Sequence, residues 1–363
     1  MHPLKTYPLK IFMNTIGNKL RLTTFGESHG PAIGGIIDGF PAGFKIDFDK
    51  IILEMSKRKP GQSNMVTQRK EDDMPEFLSG ISPEGVTLGT PIGFIIRNKD
   101  TRSADYDNMR DLYRPNHADY TYESRYGIRD HRGGGRASAR ETANWVLAGA
   151  LAKQWLESQN LHISACLSGV GHTSFTEELI QRLCSNPDAY KELQVPKDFT
   201  EKMENEILKA KKAGDSIGGV VTCLITGLKA GIGNPVFNKL HSELAKTMMG
   251  INAAKGFEYG LGFKSAEKLG SDIIDSFIKT DNRIRTSTNY SGGIQGGISN
   301  GMPIYFNVAF KPTPTLLKEI MTVTSSGEQT LLKPKGRHDP CVAVRAVPVV
   351  EALAALVVAD FLV

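Results

Sequence analysis

The chain has 363 residues, 40% apolar and 23% charged, with a formal charge of +5. That is enough length for a sizeable buried core and a composition of the globular class. The balance is too mildly basic for a dedicated nucleic-acid binder, and no apolar run reaches the roughly 18 residues of a membrane span. Residues 1–12 lack the apolar core of a secretory signal, and Met13 opens a second plausible start, so they read as a loose extension.

In chain order, Arg21–Phe25 alternates and is β-branched, and Ile33–Gly39 follows it as a second strand. Between them lies Gly26-Glu-Ser-His-Gly30, which fits the G-x-S-x-G pattern of a serine hydrolase. A nucleophile elbow needs a helix directly after the serine, and the glycine-rich, β-like residues that follow do not supply one. The other reading makes His29 the working residue, since imidazole exchanges protons near neutral pH.

Asp47 caps a helix that Pro60–Gly61 ends, residues 60–80 read as a polar loop, and Pro91–Arg97 as a strand. The polar stretch from Asn98 to Arg136 is too long for an idle loop. Between Arg102 and Arg140 run Arg110, Arg114, Arg125, Arg129, Arg132 and Arg136, with His117 and His131 among them. Arginine's rigid fork suits carboxylate and phosphate, so an anionic ligand is expected; an RNA-binding surface is the non-enzymatic alternative. His117 shares a turn with Arg114 and Asp119, and Tyr120 and Tyr122 are placed to pack on a flat ring.

Arg132-Gly-Gly-Gly-Arg136 feeds a helix that starts at Ser138, with Glu141 completing a capping box. Free N–H groups there would form an anion site. The stretch is neither a Walker A loop nor a Rossmann fingerprint. Trp145, Leu147, Ala148, Leu151, Ala152, Trp155 and Leu156 recur at helical spacing as core. His162–Gly171 reads as a strand, 174–214 as two polar helices and Gly218–Gly227 as a strand. A helix starting at Asn234–Pro235 and ending at Gly250, a strand over Met302–Phe310 and a buried C-terminal helix complete the pattern. Strands and helices mix without regular βαβ alternation, so the fold class is α+β with mostly antiparallel sheets. Cys166, Cys184, Cys223 and Cys341 form no CxxC pair, so no metal site is expected and they read as buried thiols of a reducing compartment.

Eight strings, in order, carry a resemblance to the chorismate synthase family: FGESHG, KRKPGQS, RPNHADYTY, RGGGRASARETA, INAAKGFEYG, GGIQGGISNG, KPTPT and GRHDPCVAVRAVPVVEA. It runs from about Asn14 to the C-terminus. It implies one catalytic domain over 13–363, a β-α-β sandwich with antiparallel sheets inside and helices outside, and a cytoplasmic homotetramer. The implied reaction converts 5-enolpyruvylshikimate 3-phosphate to chorismate and phosphate with reduced FMN, the last step of the shikimate pathway. The substrate is a small molecule, with no nucleic acid or membrane as partner.

The resemblance carries over catalytic roles to His29 at the substrate phosphate, His117 at the flavin and Asp339 in C6 deprotonation. It carries over flavin contacts to Arg136, Ala137, Ser138, Asn252, Ala253, Gly296, Lys311, Pro312, Thr313, Pro314, Thr315 and Arg337. Substrate contacts fall to Ser28, Arg58, Arg114 and Arg140. Arg58 is also the position implied for NADPH, whose second arginine in the family falls here at Asn64. Two further departures are Asn116, where the family often has glycine, and Ala137, where it has serine.

Overall fold

The computed structural model describes residues 13–59, 73–98, 109–185, 197–280, 283–332 and 339–363. Alternation along the N-terminal segment sets its first layer. Leu22 and Thr24 point inward from a strand whose Arg21 and Phe25 stay exposed. The strands are β1 (Thr15–Ile16), β2 (Arg21–Gly26), β3 (Ala32–Asp38), β4 (Pro75–Phe77) and β5 (Ile92–Arg97). They form an antiparallel sheet in the order β1-β2-β3-β5-β4. Between β3 and β4 runs helix α1 (Phe48–Arg58), capped as expected by Asp47, whose carboxylate accepts from Lys50 N at 3.1 Å.

Next come α2 (Asp119–Tyr126), inside the long polar stretch, and α3 (Thr142–Glu157). Then follow β6 (His162–Val170), β7 (Thr173–Ser174), α4 (Glu177–Ser185), α5 (Lys197–Lys212), β8 (Gly219–Thr226), α6 (Leu240–Met249) and β9 (Ala254–Tyr259). Two hairpins follow, β10 (Phe277–Thr280) with β11 (Arg283–Thr286), and β12 (Ile294–Gln295) with β13 (Ile298–Ser299). After them come β14 (Ile304–Phe310), a hairpin of β15 (Ile320–Val323) and β16 (Gln329–Leu332), and α7 (Ala343–Leu362). The second sheet is antiparallel in the order β7-β6-β8-β14-β9.

The α+β class and the antiparallel sheets are as the sequence implies. So is the β-α-β layering: α3 and α7 are the most buried helices and form the layer between the two sheets. α7 packs on β6 and β8, and α3 packs on α7 and reaches β3. Both helices are apolar nearly all round, and such a helix is stable only when covered on all sides. Their crossing is close. A Cβ built on Gly149 would lie 2.3 Å from the Cβ of Ala352. Lys153 of α3 ties this layer together, bonding Glu351 of α7 at 2.6 Å and Glu54 of α1 at 3.3 Å. Asp360 near the end of α7 accepts from the backbone N–H of Asn18, Lys19 and Leu20, pinning the first sheet to the C-terminus.

Two helix starts depart from the sequence reading. α6 begins at Leu240 rather than at Asn234–Pro235, because Asn238 is left-handed (φ 53°) and breaks the helical path. α3 begins at Thr142, after two 3-10 turns, Gly135–Ala137 and Ala139–Glu141. Ser138 caps the second of these through Arg140 N at 3.2 Å. Glu141 closes no box, because its carboxylate is taken by Arg136 at 2.6 Å and by the side chains of Asn144 and Trp145.

Candidate functional site

The fold brings four ends together: the exit of β2, the turns before α3, the start of β9 and the exit of β14. Phe310 and Ala254 are paired neighbours, so the residues beyond them, Asn252–Ala253 and Lys311–Thr315, emerge side by side. Lys311 N donates to Ala253 O at 3.0 Å. The Arg114–Tyr126 turn and helix close the opposite wall. The cavity between them measures about 880 Å³.

Of the residues singled out in the sequence, Arg114, His117, Arg136, Ala137, Ser138, Asn252, Ala253, Lys311, Thr313, Pro314 and Thr315 line this cavity. Tyr122 lines it too. Tyr120 does not, and packs edge-on against Tyr113 instead. His117 Nε2 lies 2.9 Å from Thr315 Oγ1. Lys311 Nζ donates to the carbonyl of Asn116 at 3.0 Å. Asn116 has φ 60°, the left-handed conformation that glycine favours and asparagine tolerates, so the departure from glycine leaves this turn feasible. Ala253 is held at φ 68°, a conformation costly for alanine, in the cavity wall. Ala137 contributes through its backbone, accepting from Asn252 Nδ2 at 2.8 Å. That leaves Asn252 Oδ1, and likewise Thr313 Oγ1, buried without a hydrogen-bond partner among the described residues.

A second group stands behind the glycine loop and does not line the cavity. Ser28 is buried, and its Oγ lies 3.0 Å from Nδ1 of His29. The imidazole packs on Gly133, where a Cβ would stand 2.2 Å from Nδ1, and Gly133 itself lines the cavity. β3, not a helix, follows this serine, so the hydrolase elbow lacks its context. Arg58 and Arg140 are buried and share the fully buried carboxylate of Asp73. Burial alone would raise that carboxyl. The two guanidiniums outweigh it and hold it below its ordinary value. Asp339 pairs with Arg345 at 2.7 Å, and Arg345 Nε donates to Arg58 O at 3.1 Å, which joins Asp339 to this group. Pro312 flanks the cavity without lining it. Gly296 lies in the turn between β12 and β13, away from it. Arg337, like residues 1–12 and Asn64, lies outside the described residues.

Among the described residues, most arginines of this stretch are paired with carboxylates. Arg114 and Arg129 both bind the buried Asp119, Arg132 binds Asp130 and Arg136 binds Glu141. Asp119 would be raised by burial, but Arg114 and Arg129 hold it down, and hydrogen bonds from Arg132 hold Asp130 at about 2. Burial pushes Glu27 and Glu141 above their ordinary values against the pull of Arg136. Burial and the neighbouring Lys255 lower Lys311. The wall therefore carries Lys311, the carboxylate-paired Arg114, Arg129 and Arg136, one imidazole, flat aromatic surface and unsatisfied polar atoms. Such a lining suits a planar ligand with anionic groups.

Sequence reasoning missed Glu27, Asp73, Asn98 and Asp130. Glu27 sits inside the GESHG string, and its acidity alone carried no signal. Asp73, Asn98 and Asp130 act through partners far along the chain or through turns, which spacing does not reveal.

A cavity of this size and lining, where strand ends of two antiparallel sheets meet, has the form of an enzyme's active site. A family model described as chorismate synthase matches residues 20–363. Chorismate synthase of Phocaeicola vulgatus is 52% identical over 358 residues, 96% of this chain and 97% of that protein. Chorismate synthase of Parabacteroides distasonis is 53% identical over 361 residues, 96% and 98% respectively. A crystal structure of chorismate synthase superposes with a TM-score of 0.76 at 31% identity, covering 96% of this chain and 92% of that one. The chain belongs to the chorismate synthase family. It is an enzyme of that family, a lyase.

Proposed function

We propose that the enzyme converts 5-enolpyruvylshikimate 3-phosphate to chorismate and phosphate by 1,4-trans elimination, with reduced FMN held in the cavity, as the last step of the shikimate pathway. The observation that carries this is the pair of buried unsatisfied atoms, Asn252 Oδ1 and Thr313 Oγ1, in a wall with Arg136 and Lys311. A buried polar atom without a partner costs about 1–3 kcal/mol, so a ligand with matching donors and acceptors is expected there. An isoalloxazine offers such groups, and a ribityl phosphate offers the anion for Arg136 and Lys311. Ser138, Ala253, Pro312, Pro314, Thr315 and Arg337 complete the flavin contacts carried over from the family; Gly296, away from the cavity, does not join them.

Reduced FMN supplies transient electron density that eases departure of phosphate; the rest falls to the protein. His29, oriented by Ser28 and Gly133, protonates the leaving phosphate. Arg58, Arg114 and Arg140 bind the substrate's anionic groups. His117, held by Thr315, stabilises the negative charge of the reduced flavin ring. Asp339, oriented by Arg345, assists removal of the C6 proton. NADPH as reductant, with Arg58 in its site, belongs to the same reading.

A single catalytic unit over 13–363, cytoplasmic residence and a homotetramer complete it. The free buried thiols Cys166, Cys223 and Cys341 suit a reducing compartment. No helix among the described residues is long and apolar enough to cross a membrane. Exposed Phe263, Leu269, Phe277 and Ile284 supply apolar surface for self-association.

The test is flavin binding. Thr313→Val and Asn252→Leu should each weaken FMN binding about tenfold in a fluorescence titration, at unchanged melting temperature. Unaltered affinity in both would remove the cavity as the flavin site.

A further inference from the structure

The loop that presents Ser28 and His29 has little structure of its own. Within it, Gly30 N donates to Glu27 O at 3.0 Å. The carbonyls of Glu27, Gly30 and Pro31 have no place in the β2–β3 ladder. All three end on one residue, Asn98, the first after β5. Its backbone N–H donates to Pro31 O at 3.1 Å. Its Nδ2 donates to Glu27 O at 3.0 Å and to Gly30 O at 2.8 Å. Its Oδ1 accepts from Arg140 Nε at 2.9 Å.

The amide orientation is forced by these partners. Exchanging oxygen and nitrogen would set Oδ1 against two carbonyls and Nδ2 against a guanidinium. Arg140 is in turn held by Asp73 and by Arg97 O at 3.3 Å. One half-buried side chain thus uses both amide hydrogens on the histidine's loop and its oxygen on an arginine 42 positions away.

We infer that Asn98 is a positioning residue of the reaction, fixing the His29 imidazole relative to Arg140. The inference rests on the reading above, in which His29 delivers a proton to an anion that Arg140 helps to hold. Proton transfer needs heavy atoms within about 2.6–3.2 Å, and a misplacement of about 1 Å costs on the order of 100-fold. Neither neighbour can replace the asparagine. Glycine and proline at 30 and 31 carry no polar side chain, and Glu27 faces the cavity.

Two substitutions separate its two connections. Asn98→Asp keeps an acceptor for Arg140 but loses both donations and sets a carboxylate oxygen against two carbonyls. Asn98→Ala loses everything. Steady-state rates with 5-enolpyruvylshikimate 3-phosphate and reduced FMN should show kcat about 100-fold lower in N98D, with KM within about threefold of wild type. N98A should show the same loss in kcat together with a KM raised about tenfold, because Arg140 also loses the acceptor at its Nε and keeps only Asp73 and Arg97 O. A defect that was merely structural would lower apparent kcat only in proportion to the folded fraction, with KM unchanged. Circular dichroism reports that fraction, and a loss of about 100-fold in a fully folded N98D lies outside what such a defect can explain. Wild-type kcat in N98D overturns the inference. If N98D does not fold, wild-type kcat in N98A overturns it instead. A wild-type enzyme that makes no chorismate contradicts the functional reading, whereas normal wild-type turnover with unaffected variants contradicts the role of Asn98 alone.

Discussion

Gly133 is the residue on which the two halves of the site depend. It lines the cavity on one side and touches the His29 ring on the other, with no space for a Cβ. The clash would be with the end of a side chain, which turns aside at little cost to stability. Gly133→Ala is therefore expected to lower kcat by two to three orders of magnitude, approaching His29→Ala, while its thermal midpoint stays within a few degrees of wild type. Near-normal turnover in G133A would separate His29 from the chemistry. Glu141 acts on the same scale. It was expected to cap a helix and instead holds Arg136, together with Thr24, whose Oγ1 accepts from the same guanidinium at 2.7 Å. The sequence motif was right about where the chain turns and wrong about the carboxylate, because a guanidinium offers it a charged partner that a backbone N–H does not.

Elements whose burial is one-sided or complete were legible from pattern alone: β2, β3, β5, β6, β8, β14, α1 and the apolar stretches of α3 and α7. Those set by tertiary contacts were not. β9 carries intermediate exposure through most of its length and became a strand by pairing with β14. α6 lost its predicted first turn to the left-handed Asn238. The β-α-β layer order came with the family resemblance and not with the pattern, because periodicity tells which face of a helix is buried, not what covers it. The middle layer makes its own prediction. Gly149 faces Ala352 so closely that any larger side chain must push α3 from α7. Gly149→Leu should cost at least about 1–3 kcal/mol, read as a lowered urea midpoint. An unchanged midpoint would mean that the crossing is looser than described. Of the site, the histidines and the cavity-lining arginines were legible through their strings. Asp119 was named beside Arg114, but the partners brought from far along the chain, Asp73 and Asn98, were not, since those partnerships are made by the fold.

Across the whole molecule, the buried Asp73 joins β4's approach to α1 and to the turn before α3 through Arg58 and Arg140. Its carboxyl is lowered in the folded state, so it contributes stability above the unfolded value of about 3.9 and loses it as pH falls through the folded value. Asp73→Asn should destabilise the protein by about 3–5 kcal/mol at neutral pH, because it strands two buried guanidiniums. The difference from wild type should shrink as pH drops below about 4. A gap that is constant with pH would show that the carboxylate's charge is not what matters.

The central claim is that this chain carries out the elimination with reduced flavin. Its most direct test is an anaerobic assay of the purified protein with 5-enolpyruvylshikimate 3-phosphate and photoreduced FMN, following chorismate absorbance and phosphate release together. Equal amounts of chorismate and phosphate with reduced FMN, and neither with oxidised FMN, is the predicted result. No chorismate from a folded protein that binds FMN would contradict it.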